Sequence, residues 1–179
     1  MDGPFLGCTK SADLSDSDQL LLLSVLRWYN TNSKRVSGFL EIVERNNGLS
    51  LRVIDWLVTN YCKTTPVMLH RRDGPPTDLY RDYQKYLSAY NKKNMDPFAR
   101  RKRVTITLFG KKTRKSTLGQ LNFFRWFLKN KLEEFMHLNK AVVEDDMKRV
   151  ADRVSQKKRH RKKAPTARVF SGKFLVEFS

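Results

Sequence analysis

Two cysteines in 179 residues are too few for a disulfide framework. Cys8 and Cys62 stand far apart and form no CxxC pair, which removes the usual redox and zinc-finger patterns and leaves a single bridge open. A reduced compartment is the default, with Cys62 read as a small buried apolar residue. Long apolar runs are missing too: the longest, Leu20 to Leu23, is far short of a bilayer-spanning helix, so no transmembrane segment is expected. The opening stretch MDGPFLGCTKSADLSDSD is acidic and polar, unlike a signal or transit peptide. Histidine is scarce, and His70, His137 and His160 share no metal-ligand spacing. Gly110-Lys111-Lys112-Thr113 echoes the end of a phosphate-binding loop, but Thr105 stands where that loop needs its upstream glycine. There is no GxSxG, and no Ser or Cys has a His partner at a signature spacing. The expectation is a protein with no catalytic residue, no metal and no cofactor, and thus not an enzyme. The best carboxylate clusters, Glu133-Glu134 and Glu144-Asp145-Asp146, read as balance for nearby basic charge. A metal-dependent nuclease on Asp145, Asp146 and Glu177 is a distant alternative.

What is present is positive charge, unevenly placed. The chain has 36 Lys+Arg and 18 Asp+Glu, a formal net charge of +18. Residues 1–60 hold 6 basic and 7 acidic side chains, so the remaining residues hold 30 and 11, a net of +19. Such asymmetry points to an anionic partner: nucleic acid, an anionic membrane surface or an acidic protein. An apolar fraction of 40% and an aromatic fraction of 11% are enough to build a core, which excludes wholesale disorder.

The periodicities predict an α+β protein, mainly helical, with a small antiparallel sheet in the C-terminal part. Residues 1–14 read as a flexible tail, 15–65 as an N-terminal helical part and 66–179 as a basic α+β part, the last two forming one compact unit. Leu20 to Trp28 make a mostly buried helix that starts at the Asp13–Asp16 cap region. A second helix follows from Ser33 and stops at Asn46-Asn47-Gly48. Ser50 caps a third, over Leu51–Tyr61, although its β-branched residues also allow a strand. Val67-Met68-Leu69 suits a short strand, and Thr77-Asp78 opens a helix lined by Tyr80, Tyr83, Tyr86 and Tyr90. Val104 to Leu108 alternates as a strand does, with a hairpin turn at Gly110-Lys111-Lys112. Thr117-x-x-Gln120 fits a capping box for an aromatic helix over 118–138. A break at Asn139 then precedes a helix through Val143, Met147, Val150 and Val154. Residues 174–178 read as a terminal strand that could pair with the 103–109 strand.

Two basic clusters carry the excess charge. The first is Lys92, Lys93, Arg100, Arg101, Lys102, Arg103, Lys111, Lys112, Arg114 and Lys115, opposed only by Asp96. The second is Lys157, Lys158, Arg159, Arg161, Lys162 and Lys163, around His160. Arginine offers a planar fork for phosphate oxygens and lysine a mobile point charge, so both suit a phosphate backbone. A solvated charge run, or for 157–163 a nuclear-import signal, is the plain alternative. The tyrosine stripe could stack bases, though such stripes are more often core.

Four stretches are distinctive: LSLRVIDWLVTNYCK (49–63), DLYRDYQKYLSAYNKKNMDPFARR (78–101), STLGQLNFFRWFLKN (116–130) and KKRHRKK (157–163). In that order they resemble a family of small uncharacterised proteins of nucleocytoplasmic large DNA viruses, of iridovirus and giant-virus type, over roughly residues 49–179. The resemblance implies a viral protein found in the virion or the infected host cell. Its implied partners are capsid-shell proteins, viral DNA or an anionic membrane surface, and it transfers no active site. A minor capsid or core component fits it, as does a nucleic-acid-binding protein of replication, transcription or packaging. Two departures stand out: Ala99 occupies a position where the family tends to have Cys, and the run continues more basic after KKRH.

Overall fold

Polar side chains one residue before the first helical residue cap five of the helices. A computed structural model describes residues 8–9, 14–70, 74–108 and 112–163 of the chain. After strand β1 (Cys8–Thr9), helix α1 (Asp16–Asn30) begins at Ser15, whose hydroxyl accepts from the Asp18 N–H. Asn32 caps α2 (Ser33–Glu44), and Ser50 caps α3 (Leu51–Trp56). The α3 helix runs on through a π turn, Leu57–Tyr61, into the short α4 (Cys62–Thr64). This segment is therefore helical despite its β-branched residues. Thr59 Oγ1 donates to the Asp55 carbonyl at 2.7 Å inside the π turn, a side-chain bond that competes with the regular ladder.

Strand β2 (Met68–Leu69) pairs antiparallel with β3 (Thr77–Asp78), and Asp78 then caps α5 (Leu79–Tyr90). A 3-10 turn, Lys92–Asn94, leads into the loop before β4 (Arg103–Leu108), which forms a hairpin with β5 (Lys112–Thr117). Thr117 caps α6 (Leu118–Lys129), and α7 spans Leu132–Lys163. The protein is thus α+β and mainly helical, with small antiparallel sheets.

β1 pairs with Thr105–Ile106 of β4, giving the strand order β1-β4-β5. Two residues of the stretch read as a tail are therefore sheet, and β4 is paired on both sides. The expected strand 174–178 lies outside the described residues. The chain divides into two compact units, one ending at Met147 and one beginning at Lys148.

The core of the larger unit centres on α6. Leu118, Leu121, Phe123, Phe124, Trp126 and Phe127 are all buried, and α1, α2 and β5 pack around them. Phe39 meets Phe124 and Tyr83 meets Trp126, their ring centroids 6.0 and 5.2 Å apart. Truncating a ring such as Trp126 to alanine costs about 3–5 kcal/mol at a site of this kind. Its indole N–H donates to buried Asp82 at 2.8 Å, so that carboxylate would lose a partner as well.

The aromatic helix ends earlier than its periodicity suggests. The break falls at Asn130-Lys131, where Lys131 takes a φ of 54°, and α7 runs through Asn139 without interruption. Both asparagines donate to the carbonyl four residues back, Asn130 to Trp126 and Asn139 to Phe135, each at 2.9 Å. The residue type alone therefore does not set the break. Leu132, Met136 and Val143 are buried, and packing of that face carries α7 past Asn139.

Candidate anion-binding site

The loop between α5 and β4 holds the first basic cluster, and buried polar groups fix its shape. It opens at Asn91, which has a φ of 59° and accepts the Asn94 N–H on its side chain. Asn94 turns inward and is buried. Its amide donates to Asp18 Oδ1 at 3.0 Å, its side-chain oxygen accepts from Lys102 Nζ at 3.3 Å, and its carbonyl accepts from Asn122 at 2.9 Å. Lys102, at the far end of the loop, has a φ of 54° and reaches Asp18 Oδ2 at 2.6 Å. One carboxylate on α1 thus ties both ends of the loop. Burial works against the charge on Asp18, but the bonds from Lys102, Asn94 and Ser15 outweigh it and hold the carboxyl below its ordinary range. Asn122 is itself held by Arg125, at 2.7 Å, and Arg125 lies over the Tyr90 ring.

The middle of the loop packs on the start of α6. A Cβ added at Gly119 would stand 2.5 Å from the Lys93 carbonyl oxygen and 2.9 Å from Ala99 Cβ, so the close approach requires glycine. The Gln120 amide donates to the Pro97 carbonyl at 3.2 Å and its oxygen accepts from Ser116 Oγ at 3.0 Å. That side chain completes no capping box with Thr117; it clamps the loop instead.

This scaffold leaves a concavity of about 700 Å³ lined by Lys93, Asp96, Ala99, Arg100, Arg101, Lys102 and Arg103. Lys93, Arg100, Arg101 and Arg103 are exposed, and Lys102 is half-buried in its ion pair. Asp96 is the single acid of the lining, and its carboxylate accepts the Phe98 N–H at 2.8 Å. Four exposed cations around one concave surface, with one acid, make a place for an anion with several oxygens.

The other expected residues are spread more widely. Lys92 is exposed on the 3-10 turn, and the β4–β5 register puts Lys115, also exposed, opposite Thr105. Arg114 lies opposite Ile106 and pairs with Glu44 on α2. Lys112 belongs to β5 and Lys111 lies outside the described residues. Lys157 is exposed on α7; Lys158, Arg159, Arg161, Lys162 and Lys163 belong to the same helix. The tyrosine stripe faces inward: Tyr83 is buried, and Tyr80, Tyr86 and Tyr90 pack against the core. Asp146 accepts from the Trp56 indole at 2.9 Å, and Glu133 from Asn47 at 3.2 Å. Among the described residues no group of three His, Cys, Asp or Glu could hold a metal, and no helix is long and apolar enough to cross a membrane.

Asp18, Asn94, Gly119 and Asn122 were not singled out from the sequence. Each shapes the loop through contacts distant along the chain, 76 residues in the case of Asn94 and Asp18.

Residues 10–172 match a family of unknown function, DUF7197. The chain belongs to the DUF7197 family. It is also 30% identical, over 142 residues, to an uncharacterized protein of Acanthamoeba polyphaga mimivirus. The match takes in 75% of this chain and 55% of that relative, so the chain spans about half the relative's length. No solved structure matches. The likeness agrees with a giant-virus-type family and with an infected cell as context. The loop with its concavity lies within the part of the chain that DUF7197 covers.

Proposed function

We propose that this DUF7197 protein is a non-enzymatic basic component of a giant-virus-type virion core, binding the phosphate backbone of viral nucleic acid. The concavity of the 93–103 loop carries the reading: four exposed cations on a backbone fixed in advance by Asp18, Asn94 and Gly119. A backbone fixed in advance loses little freedom when phosphates arrive, and each phosphate neutralised releases counterions. Backbone contacts of this kind carry no sequence code, so the binding is non-specific. The mimivirus relative supports the viral setting.

A minor capsid protein facing an acidic shell protein is the second reading. Leu138 and Val142, one turn apart on α7 and 86% and 55% exposed, favour a protein contact there.

Purified protein titrated onto duplex DNA at several salt concentrations tests the first reading. Binding that weakens steeply with salt, and less steeply after Arg100, Arg101 and Arg103 are changed together to alanine, supports it. Each lost phosphate contact lowers the slope of log K against log salt by about 0.9. Absence of binding at low salt, to the duplex and to a single strand alike, removes the nucleic-acid reading and leaves the capsid one.

A further inference from the structure

The turn that carries the basic residues also presents one aromatic ring to solvent. Among the described residues Phe98 is the only phenylalanine, tyrosine or tryptophan that stands exposed, at 45%, and it lies outside the apolar core cluster. Isolated surface hydrophobics are common and usually mean nothing. Phe98 differs because its backbone is held on every side. The Asp96 carboxylate accepts the Phe98 N–H, the Asp96 carbonyl accepts the Ala99 N–H at 3.2 Å, and Gln120 fixes the Pro97 carbonyl. Pro97 is buried before it, and Ala99 abuts Gly119 after it. The ring therefore stands on a rigid turn. Its neighbours Asp96, Ala99, Arg100 and Arg101 all line the concavity.

We infer that the loop is a single-stranded nucleic-acid site, in which Phe98 stacks on an unpaired base while Arg100, Arg101 and Arg103 hold the adjoining phosphates. The inference rests on the phosphate-binding reading and adds the class of partner. A phosphate site needs no aromatic ring, and a duplex keeps its base faces covered. A cationic concavity and an exposed ring carried on one turn fit a strand whose bases are free, and every base has a face to stack, so the site tolerates any sequence. The tyrosines of α5 cannot take this part, since they are packed against the core.

The test compares an oligothymidylate with inorganic polyphosphate, which has the charge but no bases. Wild type, Phe98→Ala and Phe98→Tyr are titrated against both, with thermal melts to show that all three fold alike. Phe98→Ala should weaken oligothymidylate binding by about ten-fold and leave polyphosphate binding unchanged, while Phe98→Tyr should restore the loss. Unchanged oligothymidylate binding by Phe98→Ala, with polyphosphate still bound by wild type, overturns the stacking and leaves the phosphate reading standing. An equal loss on both probes assigns the ring a role in shaping the turn and also overturns it. If wild type binds neither probe, the phosphate reading falls and the stacking with it.

Discussion

The two basic regions of this chain look alike in composition and are built in opposite ways. The 91–102 loop bends through two residues with positive φ, Asn91 and Lys102, and is pinned by a buried carboxylate, a buried asparagine and a glycine contact. The C-terminal part of α7, from Lys148, is a helix whose residues 151–157 are all exposed. Positive charge on a helix of that kind needs no tertiary support. Charge in the loop needs Asp18, Asn94, Gly119 and Asn122 before its arginines are placed at all. Folding and the placement of positive charge are therefore coupled in the loop and separable in the helix.

Gly119→Ala should break this comparison most sharply. Alanine is ordinarily the better helix residue, by about 1 kcal/mol, but here its Cβ meets a backbone oxygen that cannot swing aside. A net loss of about 2–3 kcal/mol is expected in denaturant unfolding, together with weaker DNA binding. Arg153→Ala or Lys157→Ala, at exposed positions of α7, should stay within about 0.5 kcal/mol of wild type.

Asp18→Ala comes next. It leaves Lys102, 26% exposed, without its counter-charge and Asn94 without an acceptor, at a cost of about 2 kcal/mol. The pH dependence sharpens the point. The folded Asp18 carboxyl titrates below its ordinary 3.8, so its stabilisation is complete above that value and is lost as pH falls through the lowered folded value. Asp18→Asn should therefore flatten the acid limb of the stability curve. Asp55 on α3 behaves the opposite way: burial first, then the nearby Asp96 charge, raise its carboxyl, with Lys92 pulling against them. Its ionisation costs stability at neutral pH, a cost that disappears as the carboxyl is protonated. Asp55→Asn should raise the melting temperature at neutral pH and lose that gain in acid.

The smallest effect separates structural from binding cations. Arg114→Ala removes the pair with Glu44, partly exposed on both sides, and should cost about 0.5–1 kcal/mol in denaturant unfolding. DNA affinity at fixed salt should stay within about two-fold of wild type, because Arg114 is not in the concavity.

Local features were the most legible in the sequence. Ser15, Ser50, Asp78 and Thr117 cap helices, and the Val104–Leu108 alternation became β4. These depend on neighbours a few residues away. The end of α6 at Asn130 was not legible, because Asn130 and Asn139 make the same side-chain bond and only packing distinguishes them. The basic residues were visible as a cluster. Which of them face solvent was not, since Lys102 and Arg114 look like their neighbours until Asp18 and Glu44 are brought beside them. Phe98 was hidden for the same reason: eleven phenylalanines look alike in the sequence, and among the described ones exposure distinguishes this one.

Chemical footprinting of lysine and arginine side chains, with and without saturating DNA, separates the loop from the helix. Lys93, Arg100, Arg101 and Arg103 should be protected, with Lys102 and Arg114 equally reactive in both states because their partners are internal. Protection confined to the basic residues after Lys148, with the loop unchanged, would contradict it.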